Sequence, residues 1–420
     1  MTRTKHTDVL SVLHPICCGL DVHKEVVNAC LVVTNSAGED VSVFKVFQTF
    51  TDDLKRLREW LLAHECPIVA MESTGVYWRS VHNILEGYLR VVLVNARHVK
   101  NMPGRKTDTA DSQWIAGLLR VGMVKGGFIP PKEVRRWRDI NGYRKRLVET
   151  VGDAKRRVHK LFECCNVKID SVVTDLFGRT GRNLMNLLIA KQCQEITEED
   201  VQACLKGKLK PKGAELFRSI QGFFEDHHRW LLQEQLDIID SLQERIKGAE
   251  ARLKELFDPY RDLMNRMLEI PGINLVAAYA ILSEIGTTLD AFCSAAALCS
   301  WCGVCPGNNQ SAGKRFHTRS PVRSSRLRTF LVEAAWAAVR VKGTYFRAKY
   351  FSLRARLGPK KAILAIAHRL LKGIYHVVKH GSSFRDLGED YLININRLKK
   401  LNYVIRLAEK LGFRLVPAPL

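Results

Sequence analysis

Residues 16–48 read ICCGLDVHKEVVNACLVVTNSAGEDVSVFKVFQ. Within them, 16–22 (ICCGLDV), 27–34 (VNACLVVT) and 42–48 (SVFKVFQ) are rich in β-branched and apolar residues, and 35–40 (NSAGED) supplies turn chemistry between the last two. This pattern predicts a three-stranded meander. Thr51 with Asp52 and Asp53 gives an N-cap and an acidic first turn, after which Leu54, Leu57, Trp60 and Leu61 recur at helical spacing. A fourth strand follows at 67–71 (PIVAM), then a helix from about 76 to 85, a fifth strand at 89–94 (LRVVLV) and a helix from about 108 to 121.

The order βββαβαβα is the one an α/β RNase H-like domain uses, and it fills residues 1–128. The full 420 residues exceed one ordinary hydrophobic core, so further domains are expected. After Pro130 and Pro131 a cationic helix is predicted over 132–162, with Leu147, Val151, Val158 and Leu161 on one side. Only short helices are read over 163–212. From about 214 to 257, Leu232, Leu236, Ile239, Leu242, Ile246, Ala249, Leu253 and Leu256 fall three or four apart between charges, the pattern of a coiled-coil-like arm. This basic helical region, 129–257, precedes a mainly α-helical C-terminal domain, 258–420.

Composition limits the function. With 46% hydrophobic residues, 13 Pro and 28 Gly the chain is globular, which excludes collagenous and disordered classes. Lys and Arg outnumber Asp and Glu by 66 to 43, a net charge of +23 that calls for a polyanionic partner, nucleic acid first. No stretch approaches the roughly 20 apolar residues of a membrane span, and MTRTKHTDVLSVLHPICC lacks the apolar core of a signal peptide. A cytoplasmic, nucleoid-associated protein without a membrane partner is expected, its 12 cysteines reduced.

A basic protein that gathers acids in one place needs a chemical reason. Asp21 closes the first strand, Glu72 closes the fourth, and Asp108 and Asp111 share one face at the start of a helix. Four such carboxylates supply the hard oxygen donors that suit Mg²⁺, with Mn²⁺ as a substitute, and a pair of ions about 4 Å apart activates a nucleophile and steadies the leaving oxygen of a phosphodiester. Taken singly, each acid reads equally as a cap or turn residue.

The segments GLDVHKEVVNACLV, AMESTGVYW and VNARHVKNMPGRKTDTADSQWIAGLL resemble the RuvC-like DEDD domain of a bacterial insertion-sequence transposase family. IPGINLVAAYAILSEIG, WCGVCPGNNQSAGKRFHTRS and SSRLRTFLVEAAW resemble the second conserved domain of the same family, whose members act as bridge-RNA-guided serine recombinases. The resemblance implies Asp21, Glu72, Asp108 and Asp111 as catalytic and metal-binding residues and Ser311 as the nucleophile that forms a covalent phosphoserine–DNA intermediate. It also implies double-stranded DNA (element ends and target) and a guide RNA encoded beside the gene as partners. A homo-oligomer, dimer building to tetramer, would bring the serine domain of one subunit against the carboxylate domain of another. A rival is a junction-resolving nuclease using only the four carboxylates, and a third reading is a non-catalytic nucleic-acid-binding protein.

Around Ser311, Gly313 gives backbone freedom, and Lys314, Arg315 and Arg319 bring positive charge for a phosphate. On the cationic helix, Arg135, Arg136, Arg138, Arg144, Lys145, Arg146, Arg156 and Arg157 are read as nucleic-acid contacts, with Trp137 and Tyr143 placed to stack on unpaired bases. Lys360–Lys372 is a second basic helix, numbered 360–372, read as lining DNA. Pro271–Gly272–Ile273, at 271–273, reads either as a phosphate-binding helix–hairpin–helix turn or as a plain interhelical turn, with Asn274 where relatives carry a second glycine. Cys299, Cys302 and Cys305 have zinc-like spacing without a fourth ligand and read better as interior thiols.

Overall fold

The computed structural model describes residues 12–35, 39–72, 75–94, 108–124, 126–306, 309–311, 314–317 and 325–414, without the side chains of 108–110, 309–311, 314–317, 325, 396, 398 and 399. It divides into two compact units, Met1–Ile129 and Pro130–Leu420.

The first unit is a five-stranded mixed sheet flanked by helices. Strands β1 (Ile16–Val22), β2 (Val26–Thr34) and β3 (Asp40–Gln48) form the meander, followed by helix α1 (Thr51–Ala63), β4 (Ile68–Glu72), α2 (Trp78–Leu85), β5 (Arg90–Val94) and α3 (Asp108–Arg120). The strand order is β3-β2-β1-β4-β5, antiparallel from β1 through β3 and parallel where β1 meets β4 and β4 meets β5. This is the RNase H-like arrangement. The continuous apolar run of β1 follows from its central place, buried on both faces. One face packs Cys18, Leu20, Val69 and Met71 against Leu54, Leu57 and Leu61 of α1 and Val81 and Leu85 of α2. The other packs Cys17, Ile68, Ala70, Val92 and Val94 against Ile115, Ala116 and Leu119 of α3. Strands β3 and β5 are the two edges, and the exposed Val41, Phe44 and Val46 of β3 reflect that position.

The second unit is helical apart from one short hairpin among the described residues. The helix Lys132–Cys164 runs alongside Asp226–Phe257, and Arg179–Ala190 and shorter helices close a core around Phe162, Leu184, Leu188, Leu216, Leu232 and Leu236. The arm expected from about 214 is therefore two helices, Gly213–Ile220 and Asp226–Phe257. The break has a packing cause: a Cβ on Gly222 would fall 2.3 Å from the Cys165 carbonyl oxygen, so two backbones touch where a continuing helix would carry side chains. The remainder assembles around Pro359–His380, which buries Ile363, Ile366, Leu370 and Ile374 on one side. No described helix is long and apolar enough to cross a membrane.

Candidate active site

The chemistry of the first unit is set by how α3 lies on β1. The backbone N–H groups of Leu13 and His14 donate to the Arg120 carbonyl at 2.9 and 3.0 Å, and the Cys17 thiol donates to the Ala116 carbonyl at 3.6 Å. Further along, a Cβ on Gly19 would sit 2.1 Å from the Ser112 carbonyl oxygen and 2.5 Å from the Ala116 nitrogen. Increasing strand number thus meets decreasing helix number. Helix α3 runs antiparallel to β1, and its first turn, with Asp108 and Asp111, lies toward the carboxyl end of the strand. Glycine at 19 is what allows the helix backbone to lie directly on the strand.

The strand acids point to the same place. Side chains alternate along a strand, so Asp21 shares the face of Cys17, and Glu72 shares the face of Ile68 and Ala70, which is the face covered by α3. Leu20 is level with Met71 in the β1–β4 register, so Asp21 and Glu72 are the next step on neighbouring parallel strands. Asp21 is 9% exposed, Glu72 and Asp111 are half-buried, and the side chain of Asp108 lies outside the described residues. The structure thus brings Asp21, Glu72 and the first turn of α3 to one end of one sheet face. Among described residues, Asp21, Glu72 and Asp111 do not form a trio with all ligand atoms within 4.8 Å. Acids dividing a pair of ions about 4 Å apart need not do so, and an all-carboxylate set of hard oxygens fits Mg²⁺ or Mn²⁺.

One neighbour of the site, His23, is not singled out by the sequence reading. His23 Nε2 lies 2.8 Å from Asp21 Oδ2, with the ring N–H donating to the carboxylate. It sits in the β1–β2 hairpin, where Val22, His23, Lys24, Glu25, Val26 and Tyr77 line a shallow pocket. Spacing of two along a strand end, D-x-H, was the available signal.

Ser311 belongs to the second unit. It ends the strand Asn309–Ser311, which pairs antiparallel with Lys314–His317, Ser311 opposite Lys314. Ser311 is thus the last residue of one of two paired short strands; its side chain and those of Lys314 and Arg315 lie outside the described residues.

Several expected nucleic-acid contacts turn inward instead. Arg135 is 7% exposed and donates to the Pro130 carbonyl at 2.8 Å. Arg138 donates to the carbonyls of Ser283 and Glu284 and pairs with the Glu284 carboxylate, and Arg144 donates to Glu250 at 2.7 Å. Each guanidinium joins Lys132–Cys164 to the protein. Trp137, expected to stack on bases, is fully buried with its ring centroid 4.5 Å from Phe257 and 5.4 Å from Tyr260. Its hydrophobic area was better used between helices. Lys145 lies 5.3 Å from the Phe330 ring, half-buried. Arg136, Tyr143, Arg146, Arg156 and Arg157 are exposed.

Two other segments singled out in the sequence are tightly packed. Gly272, at φ +84, faces the helix Ser325–Ala338: a Cβ there would lie 2.3 Å from the Ala334 carbonyl oxygen, and Asn274 caps the next helix through Ala277 N–H at 2.8 Å. Gly272 thus serves as a close packing contact between helices. Cys299 and Cys302 are fully buried, and burial pushes each thiol up to about 12, as expected of interior packing.

A family model for a transposase of the IS110 DEDD type matches residues 18–166, and one described as the transposase IS116/IS110/IS902 family matches 264–351. Fold and matches define a DNA-recombining transposase. Since the two models together span more than half of the chain, it belongs to the IS110 transposase family. No curated protein matches the chain. Among solved structures, Thermus thermophilus RuvC is 16% identical with a TM-score of 0.22, covering 27% of this chain and 99% of that one. T. thermophilus RuvC in complex with Holliday junction substrate gives 16% identity, a TM-score of 0.21 and the same coverage.

Proposed function

We propose that this transposase excises and inserts its element by RNA-guided phosphodiester exchange through a covalent serine–DNA ester. The observation that carries this reading is the convergence of Asp21, Glu72 and the acid-bearing first turn of α3 on one end of one sheet face. In a chain of net charge +23, such a concentration of carboxylates is a site for divalent cations, which in turn hold phosphate. Asp21, Glu72, Asp108 and Asp111 would hold the metal, and His23 orients Asp21 through its N–H. When bound, Mg²⁺ supplies charge stabilisation of the phosphoryl oxygens.

The serine step is a transesterification. Ser311 Oγ attacks phosphorus; the Oγ–P bond forms as the P–O bond to the deoxyribose breaks, the hydroxyl proton is given up, and the departing sugar oxygen takes a proton. A diester replaces a diester, so reversal by another DNA hydroxyl reseals the backbone without an external energy source. Arg136, Tyr143, Arg146, Arg156 and Arg157 are exposed on Lys132–Cys164 and are offered to the guide RNA or DNA backbone, and Lys314 and Arg315 stand on the strand paired with that of Ser311. Functionally the chain divides into carboxylate domain 1–128, nucleic-acid-binding helical region 129–257 and serine domain 258–420, working as a dimer or tetramer.

The test is to incubate the protein with the RNA transcribed from sequence beside its gene, element-end DNA and Mg²⁺, then to resolve protein–DNA adducts under denaturing conditions. An adduct lost in Ser311→Ala and in Asp21→Asn is expected. Normal strand cleavage by Ser311→Ala overturns the serine step and leaves a metal-only nuclease.

A further inference from the structure

The second unit holds a group of donors that the recombination chemistry does not use. Glu225, His227 and His228 stand where Asp226–Phe257 begins, and one ligand atom from each lies within 4.8 Å of the others. Among the described residues, this is where three such donors meet. The rings of His227 and His228 are 3.7 Å apart between centroids, and His227 Nδ1 is 3.4 Å from Glu225 Oε2.

We propose that Glu225, His227 and His228 form a binding site for one zinc-class divalent cation, distinct in chemistry from the carboxylate site of the first unit. Two imidazoles and one carboxylate suit Zn²⁺, Co²⁺ or Ni²⁺, whereas Mg²⁺ favours oxygen donors alone. Three protein ligands leave a fourth position for water. The site is partly preorganised. His228 stacks on Phe224 at 5.8 Å, and Phe224 is itself buried against Phe162, so the ring is held before any ion arrives. Glu225 and His227 are exposed, which gives an aqueous ion access.

One contact must change on binding. The Glu225 backbone N–H donates to His228 Nδ1 at 3.1 Å. A neutral ring that accepts there carries its proton on Nε2 and has no lone pair left for a metal, so either nitrogen ligates only after that capping bond opens. The ion therefore competes with a helix cap, a contact weaker than a metal–imidazole bond.

The experiment uses full-length protein stripped with chelator and dialysed against buffered Zn²⁺ at pH 7.5 in excess Mg²⁺. Because exposed Cys164 and Cys293 are rival ligands, wild type is compared with His227→Gln, Glu225→Gln and His227→Cys. The expected result is one equivalent bound by wild type in the micromolar range, at least tenfold weaker binding in the two Gln variants, and retention in His227→Cys, which restores a ligand. Circular dichroism should be unchanged, since both substituted positions are exposed. Equal zinc content in wild type and Gln variants, or none retained by wild type, overturns the site.

Discussion

A single hydrogen atom in place of a side chain positions the acid-bearing end of the first unit. At Gly19 the atoms a methyl group would meet are helix backbone, the Ser112 carbonyl oxygen at 2.1 Å and the Ala116 nitrogen at 2.5 Å, and neither can rotate away. Gly19→Ala is expected to lift α3, cost about 3 kcal/mol, and reduce strand cleavage more than stability, because Asp111 moves with the helix. Hydrogen exchange over 108–120 checks the first effect and a cleavage assay at a temperature where the variant is folded checks the second. Trp137 and Tyr143 make a second residue-scale contrast. Both were legible as aromatics on a cationic helix, and sequence spacing did not distinguish their fates. Trp137 fills the gap between Phe257 and Tyr260 and is fully buried, while Tyr143 is 41% exposed. Trp137→Ala should lower unfolding stability by about 3–5 kcal/mol, and Tyr143→Ala by less than about 0.5 kcal/mol. For nucleic-acid affinity of folded protein the order should reverse, with Tyr143→Ala the weaker binder in a filter-binding titration.

Elements were legible to the extent that their cues are local. Strands β1 to β5 and helices α1 to α3 follow from alternation and helical spacing, although Thr51, expected as the N-cap of α1, is its first helical residue and Phe50 stands at the cap without a side-chain bond; the acids Asp21 and Glu72 could be placed at strand ends from the same pattern. What local pattern does not contain is contact between distant backbones. The Gly222–Cys165 approach that splits the arm and the Gly272–Ala334 approach at the 271–273 turn are both tertiary, and so are the partners of Arg138 and Arg144. Charge on a helix reveals its sign, whereas direction is decided by what packs beside it. Arg138 shows the consequence at the end of Leu275–Ile285, where it meets a buried Glu284. Burial raises the Glu284 carboxyl above its ordinary range, prevailing over the opposing pull of Arg138, Arg326 and Lys145. A carboxyl raised in the folded state contributes stability that is complete below its unfolded value of 4.5 and is lost as pH rises through the folded value. Glutamine imitates the protonated acid. Glu284→Gln should therefore match wild type in acid and become the more stable protein as pH rises above that window, as read by denaturant midpoints across pH; a variant losing ground as pH rises contradicts the dominance of burial.

At the scale of the whole molecule, the carboxylates and the serine belong to different compact units, Asp21 and Glu72 to Met1–Ile129 and Ser311 to Pro130–Leu420. One polypeptide can supply both to the same scissile phosphate, or each phosphate can receive acids from one copy and serine from another. Subunit mixing separates the two. Asp21→Asn protein keeps its serine and Ser311→Ala protein keeps its acids, so each alone should recombine at background. When acids and serine act across subunits, a mixed dimer contains one centre with both functions intact and one with neither, and strand exchange reappears on mixing, in proportion to the heterodimer formed. When they act within one chain, no centre in any mixed assembly has both, and the mixture stays at background. The assembly proposed for this transposase requires the first outcome, with covalent DNA recovered exclusively on the Asp21→Asn chain, distinguishable by a size tag; adduct on the Ser311→Ala chain would instead reveal a different nucleophile.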